Sequence, residues 1–269
     1  MGLIGLFDIG KSALFASQAA LSVTSNNIAN ANTPGYSRED VILQVATPQA
    51  LRNGMLGRGV TIAGVRRSYD RFLESQLLGQ RQSLGRSEVL DQLWTGIVQT
   101  LNGGMGYGLE APLSDFFNAW QDVAAQPESS AARSVLLQKA NALISSAGRT
   151  EKSMVDAIQA ANDGIADAVR QVNALAGQIA ALNDQIVQIE AGGTSEAVGL
   201  RDQRDNLVGK LSDLIDFASL EDQNGALSLT VGMRSLVEGG RTNTLSAPTG
   251  TDGNRMLVID GIDITGRVL

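Results

Sequence analysis

Cysteine and histidine are both absent from the 269 residues. Without cysteine there is no disulfide, no thiolate nucleophile and no thiolate-held metal. Without histidine the commonest general base and the commonest metal ligand are gone. Aromatic residues make up only 4% of the chain, against 43% hydrophobic residues overall, so alanine, leucine, isoleucine and valine have to build the core. No apolar run reaches the roughly eighteen residues that a membrane-spanning helix needs. The apolar N-terminus lacks a basic leader and is interrupted by Asp8, Lys11, Ser12 and Gln18, which is not the pattern of a secretory signal. Met1-Gly2 is followed by Leu6 where N-myristoylation needs Ser or Thr. These absences argue against a helical membrane protein and against an enzyme; no catalytic residue, metal ligand or cofactor is assigned.

Net charge is −7 and uneven: the first hundred residues carry a small positive excess and the remainder is acidic. Arg66, Arg67 and Arg71 form too small a cluster for a nucleic-acid footprint and read as a solvated face. Neither nucleic acid nor membrane is expected as a partner.

The stretch that organises the chain runs from Ser12 to Arg38. At a seven-residue step it aligns Ile9, Ala16 and Val23 in one row, Leu14, Leu21 and Ile28 in a second, and Ala13 and Ala20 in a third. Apolar rows interleaved with alanine describe a helix that seeks a partner helix, with a seam of Ile9, Leu14, Leu21 and Ile28. Asn26, Asn27, Asn30 and Asn32 then crowd its C-terminal end, where amides cost helix propensity. Thr33-Pro34-Gly35 stops the helix, because proline cannot continue it and glycine is free to take positive φ.

The thirteen residues from Asn26 to Arg38, NNIANANTPGYSR, resemble the N-terminal signature of the axial proteins of the bacterial flagellum, a group of rod, hook and hook-associated proteins. Asn26, Asn27, Ile28, Asn30, Asn32, Thr33, Pro34, Gly35 and Tyr36 are the candidate axial assembly motif.

Farther along, Val41–Val45 and Val60–Val65 read as two short strands around a loop marked by Pro48, Asn53 and several glycines. A helix from about 68 to 101 ends at the glycine-rich break of residues 102–108. A short helix, 113–125, presents Phe116, Phe117 and Trp120 as an aromatic core anchor. The next, capped by Ser129 or Ser130, should bury Ala132, Val135, Leu136, Leu143 and Ile144. The clearest periodicity follows: Ile158, Ile165, Val172, Ile179 and Ile186 are seven apart, and Met154, Ala161, Ala168, Leu175, Leu182 and Ile189 form the offset row. That is a coiled-coil seam of about 50 Å at about 1.5 Å per residue. Gly192 to Ser195 makes a turn, and a helix from about 197 to 217 returns to close an antiparallel hairpin whose core is Ile158, Ile165, Val172, Leu175, Ile179, Leu182 and Ile186. Strand-like runs at 227–231, 235–237 and 256–259 finish the chain.

Two motifs invite chemistry and are set aside. Gly5 to Ser12, GLFDIGKS, fits the phosphate-loop pattern letter for letter, but no buried strand precedes it and no α/β alternation follows. Asp202, Asp205 and Asp213 beside Arg201 and Arg204 read as mixed charge on a solvated helix face.

Residues 112–120, PLSDFFNAW, with Arg133 to Leu136, and residues 200–208, LRDQRDNLV, with the β segment to Gly240, narrow the resemblance to the hook-associated proteins of the FlgK family. The resemblance implies a mainly α, elongated helical-bundle and coiled-coil hairpin fold with an N-terminal axial helix and small β elements. Residues 1–66 would form the axial helix and an extended linker, 67–218 the helical hairpin domain, and 219–269 a small β element opening an outer domain. It further implies a non-enzymatic structural role in motility at the hook–filament junction, in a homo-oligomeric ring between hook protein and a second hook-associated junction protein. Export from the cytoplasm by the flagellar type III apparatus, with an export chaperone, would place the protein outside the cell. In this family a C-terminal helix pairs with the N-terminal one; none follows here, so residues 1–40 are expected to be mobile or to borrow a neighbour's surface. The alternatives are another axial protein, hook or distal rod, and a secreted helical effector.

Overall fold

The computed structural model describes residues 3–51, 54–102, 108–192 and 196–267. Its helices are α1 (Leu3–Ala29), α2 (Arg71–Asn102), α3 (Glu110–Ala125), α4 (Ser130–Glu190) and α5 (Val198–Ser212). Its strands are β1 (Glu39–Val45), β2 (Gln49–Leu51), β3 (Gly54–Leu56), β4 (Val60–Arg67), β5 (Ala218–Glu221), β6 (Leu227–Val231), β7 (Arg234–Glu238), β8 (Arg241–Thr242), β9 (Leu245–Ser246), β10 (Val258–Ile259) and β11 (Ile262–Asp263). The protein is mainly α with small antiparallel β elements. Two compact units can be separated. One contains Met1–Gln82, Arg170–Pro248 and Met256–Leu269; the other contains Ser83–Val169 and Thr249–Arg255.

In the first unit, β1 and β4 form an antiparallel ribbon, Glu39 opposite Arg67 at its base and Val45 opposite Val60 at its far end. A bulge lies opposite Ile42 and Leu43. The glycine-marked loop between these strands is itself a small hairpin, β2 paired with β3; Asn53, which helped mark it in the sequence, lies outside the described residues. Helix α1 rests on the ribbon through Ile9, Ser12, Ala16, Ala19, Val23 and Asn27, spaced three and four apart. Ser12 Oγ donates to the Ile9 carbonyl at 2.9 Å and accepts the Val60 N–H at 3.3 Å. Gly59, at φ +89°, passes so close to Ser12 that a Cβ would overlap its hydroxyl. The phosphate-loop match at Gly5–Ser12 is therefore helical and packed on a strand, a geometry that cannot wrap a phosphate in loop N–H groups.

Strands β5 to β8 form a four-stranded meander, and β9, β10 and β11 a three-stranded sheet in the order β11-β10-β9. Leu229, Val231, Leu236, Val237, Leu245, Ile259 and Ile264 are fully or almost fully buried. They share the core with Val172, Ile179 and Ile186 of α4 and Val208 and Leu211 of α5. The return helix is shorter than the periodicity predicts: α5 ends at Ser212, and Leu214 N–H and Ile215 N–H both bond back to the Leu211 carbonyl. The β elements, not a long returning helix, reach α4 beyond it. Asn173 of α4 pairs with both backbone groups of Leu245, donating to its carbonyl at 2.7 Å and accepting its N–H at 2.9 Å. Asn183 pairs likewise with Leu227, at 2.8 and 3.0 Å, and donates to the Gly239 carbonyl at 2.8 Å. Most of the turn between α4 and α5, Gly193 to Ser195, lies outside the described residues.

In the second unit, Pro112 sits in the first turn of α3, and Ser129 Oγ accepts the Ala132 N–H at 3.2 Å to open α4. From there α4 continues through Gly148 and Gly164 without a break, so the two helices read separately from the sequence are one of 61 residues. Three sequence expectations are corrected here. Phe117 and Trp120 are more than half exposed and only Phe116 is partly covered, so the aromatic cluster is not a core anchor; its rings pack on each other along α3. Ile158 and Ile165 are exposed, so that part of the seam is not the hairpin core that the periodicity predicts. Val135 and Ile144 are exposed as well, and the buried side of α4 there carries Ser146 and Thr150. Residues 103–107 of the glycine-rich break lie outside the described residues.

Candidate assembly site

The asparagines at the end of α1 act as a buckle. Asn27 donates to the Glu39 carbonyl at 2.8 Å and accepts the Glu39 N–H at 2.9 Å, closing one backbone residue between both ends of its amide. Tyr36 adds its hydroxyl to the same Asn27 oxygen at 2.9 Å, and Asn26 donates to that hydroxyl at 3.2 Å. Asn30 donates to the Asn26 side-chain oxygen at 2.9 Å, and Thr33 donates to Asn30 at 3.2 Å. Aliphatic side chains here would favour the helix more but could not satisfy the backbone where the chain turns from helix to strand. Gly35, at φ +79°, completes the turn, and a Cβ there would collide with Asn206. Ile28 and Asn32 point away: both are exposed.

The turn is seated on α5. Ser37 N–H donates to Asp202 Oδ2 at 2.8 Å, and Asn206 donates to the Pro34 carbonyl at 3.4 Å. Thr33, Pro34, Gly35 and Tyr36 line a groove of about 650 Å³ with α4 and α5, whose lining includes Leu182 and Leu207.

Below the turn lies a charge network that the sequence reading placed on a solvated face. Arg67, Arg201, Asp202 and Arg204 are instead buried. Arg67 Nη1 donates to Asp202 at 3.1 Å and to Asp205 at 2.5 Å, with Glu196 at 3.6 Å from its Nε. The Tyr69 ring lies 4.0 Å from its guanidinium carbon. Arg201 grips Glu190 with two parallel bonds of 2.7 Å and also bonds Glu221. Arg204 donates to Asn183 at 3.1 Å and to the Gly225 carbonyl at 2.6 Å. The Arg201 bonds, the Ala197 N–H and the nearby cations hold Glu190 below the usual carboxylate range. At Glu221 burial works against ionisation, but Arg201, Arg204 and Arg71 outweigh it and its pKa is also lowered. Burial pushes the Tyr69 hydroxyl up. Fixed ion pairs of this kind hold elements together; among the described residues no group of His, Cys, Asp or Glu is arranged to hold a metal ion.

The seam of α1 divides between two faces. Ile9 belongs to the side on the ribbon, whereas Leu14, Leu21 and Ile28 are 69%, 69% and 73% exposed, joined by Phe7. The outer row therefore has no partner within the described residues.

Residues 95–266 match the profile of the flagellar hook-associated protein FlgK helical domain. The chain belongs to the FlgK family. Residues 7–36, the outer row and the buckle together, also match the flagella basal body rod protein profile. The chain is 35% identical over 98% of its length to flagellar hook-associated protein 1 of Salmonella typhimurium, and 33% identical over 95% to that of Escherichia coli K12. In each case it spans about half, 48%, of the relative's length. The structure of the flagellar hook junction protein FlgK from Burkholderia pseudomallei superposes on 72% of this chain and 35% of that one, with a TM-score of 0.57 and 26% identity.

Sequence reasoning missed both the helical asparagines as backbone partners and the buried ion network. Asn162, Asn173 and Asn183 stand at intervals of ten or eleven along one helix, where a poor helix former needs a reason. Arg201-Asp202 and Arg204-Asp205 repeat at a three-residue step among leucines, on a helix too short to spare a face for charge.

Proposed function

We propose that this chain is a structural subunit of the bacterial flagellum at the hook–filament junction, linking hook protein to a second hook-associated junction protein. Membership of the FlgK family and resemblance over nearly the whole chain support this reading. The observation that carries it is the apolar row of α1, Phe7, Leu14, Leu21 and Ile28, presented outward above a buckle that fixes the helix on its ribbon. A helix held in this way is prepared to pack with other helices, and copies of the chain would associate through it into a ring. Residues 1–66 would supply the axial part. The protein would leave the cytoplasm through the flagellar type III apparatus, accompanied by an export chaperone, and would act outside the cell without catalysis. The rod-protein match makes another axial protein the second reading, but it ends at residue 36, whereas the FlgK match covers 95–266.

Binding of the purified chain to preformed hook tips, viewed by electron microscopy, tests the proposal. Decoration of hook ends by the whole chain and its loss on deleting residues 1–40 are expected. Failure of the whole chain to decorate hook ends would overturn the proposal.

A further inference from the structure

The ribbon of β1 and β4 is joined to the rest of its unit in an economical way. The chain enters β1 just after Ser37 and leaves β4 at Arg67, and the register sets these two ends side by side. Asp202 receives both: Oδ2 takes the Ser37 N–H and Oδ1 takes Arg67 Nη1. Among the described residues, the further polar ties fall within one or two turns of the same helix or at its start, Asp205 and Glu196 on Arg67 and Asn206 on Pro34. Helix α1 and the ribbon are meanwhile bonded to each other through Asn27 with Glu39 and Ser12 with Val60. Residues 3–67 thus form an internally tied arm.

We infer that the Asp202 carboxylate, with Arg67, is a latch: closed, it fixes the arm on α5, and opened, it releases the arm as one piece while α4, α5 and the β5–β8 meander stay folded. Two features favour release as a unit. The arm's bonds to itself do not pass through Asp202. The meander hangs on α4 and α5 through hydrogen bonds that involve neither Asp202 nor Arg67, Asn183 with Leu227 and Gly239, and Arg204 with Gly225, although Asp205 and Glu196 also lie 3.8 Å and 3.7 Å from Arg204 and Arg201. Opening breaks buried ion pairs of Arg67, which is costly, so the latch opens rarely. A subunit that must fit an axial helix into neighbours can use such a joint to reorient the arm without unfolding.

Hydrogen exchange of the 269-residue chain, read by mass spectrometry segment by segment, tests this in D202N and R67M. D202N keeps the size of the side chain and an acceptor for Ser37 N–H but loses one of the charges that hold Arg67, leaving Asp205 and Glu196, whereas R67M removes all three pairings. We expect peptides joining the arm to α5, residues 33–39 and 198–206, to exchange about tenfold faster, with peptides of 227–238 changing less than about twofold. In R67M the pattern should recur and be stronger. Two results would overturn the latch: unchanged exchange in both variants, or equal loss of protection in 227–238, which would make Asp202 and Arg67 a general part of the core. Loss of the helical protection of α1 in step with 33–39 would also overturn it, since the arm would then not move as a piece.

Discussion

Asn27 shows how a single side chain can replace a strand. Its amide meets the N–H and the carbonyl of Glu39 as a neighbouring strand would, and it caps the ribbon where no strand could follow the helix. Replacing it with alanine leaves both backbone groups partly covered and unpaired, which should cost about 1–3 kcal/mol, measured as the shift in urea unfolding. Asn27→Asp should be nearly as harmful, because a carboxylate accepts the Glu39 N–H but cannot donate to its carbonyl. At the tip of the β6–β7 hairpin the opposite opportunity exists. Gly232 and Met233 both have positive φ, and Met233 is almost fully exposed. Glycine suits that backbone and methionine does not, so Met233→Gly should raise stability by about 0.5–1 kcal/mol in the same assay. The sequence displayed the asparagines of the α1 motif plainly, since four stand within seven residues; the partners of the turn were invisible, because Asn27 meets the backbone of Glu39 and Asp202 lies 165 positions from Ser37.

At the level of elements, α4 carries the lesson. Its heptad rows were legible, and so was its helicity, but periodicity does not say what will cover a face. Isoleucine at 158 and at 179 have the same place in the pattern, yet one is exposed and the other completely buried. Ile179→Ala should therefore cost about 2–4 kcal/mol, and Ile158→Ala no more than about 0.5 kcal/mol, in thermal unfolding. The short α5 was legible as a helix and not as a charged core, because burial of Arg201 and Arg204 depends on Glu190 and Glu221, eleven or more residues away in other elements. This network also sets a direction with pH. Glu190 and Glu221 have lowered pKa values in the fold, so their contribution is complete above the unfolded carboxylate value of about 4.3 and is lost as pH falls through the folded values. The melting temperature of the wild type should fall more steeply than that of Glu190→Gln between about pH 5 and about pH 3.

For the molecule as a whole, the family was readable because the motifs at 26–38, 112–120 and 200–208 occur in family order, and each is a local string. What lies between them was not: the aromatic string at 116–120 helps to identify the family but faces outward, so recognition and packing are separate properties of the same residues. The outward row of α1 has one more consequence, and it concerns mass action. A face of Phe7, Leu14, Leu21 and Ile28 that is covered only when a second helix arrives ties the folded state of that helix to how much partner is present. The melting temperature of this chain should then rise with its own concentration, and Leu14→Asp together with Leu21→Asp should abolish that dependence while leaving the buried side of α1 untouched. Stability of the N-terminal region would thus be a property of the solution as much as of the sequence: in dilute chains the helix rests on its ribbon alone, and crowding of like subunits at one place adds a second contact.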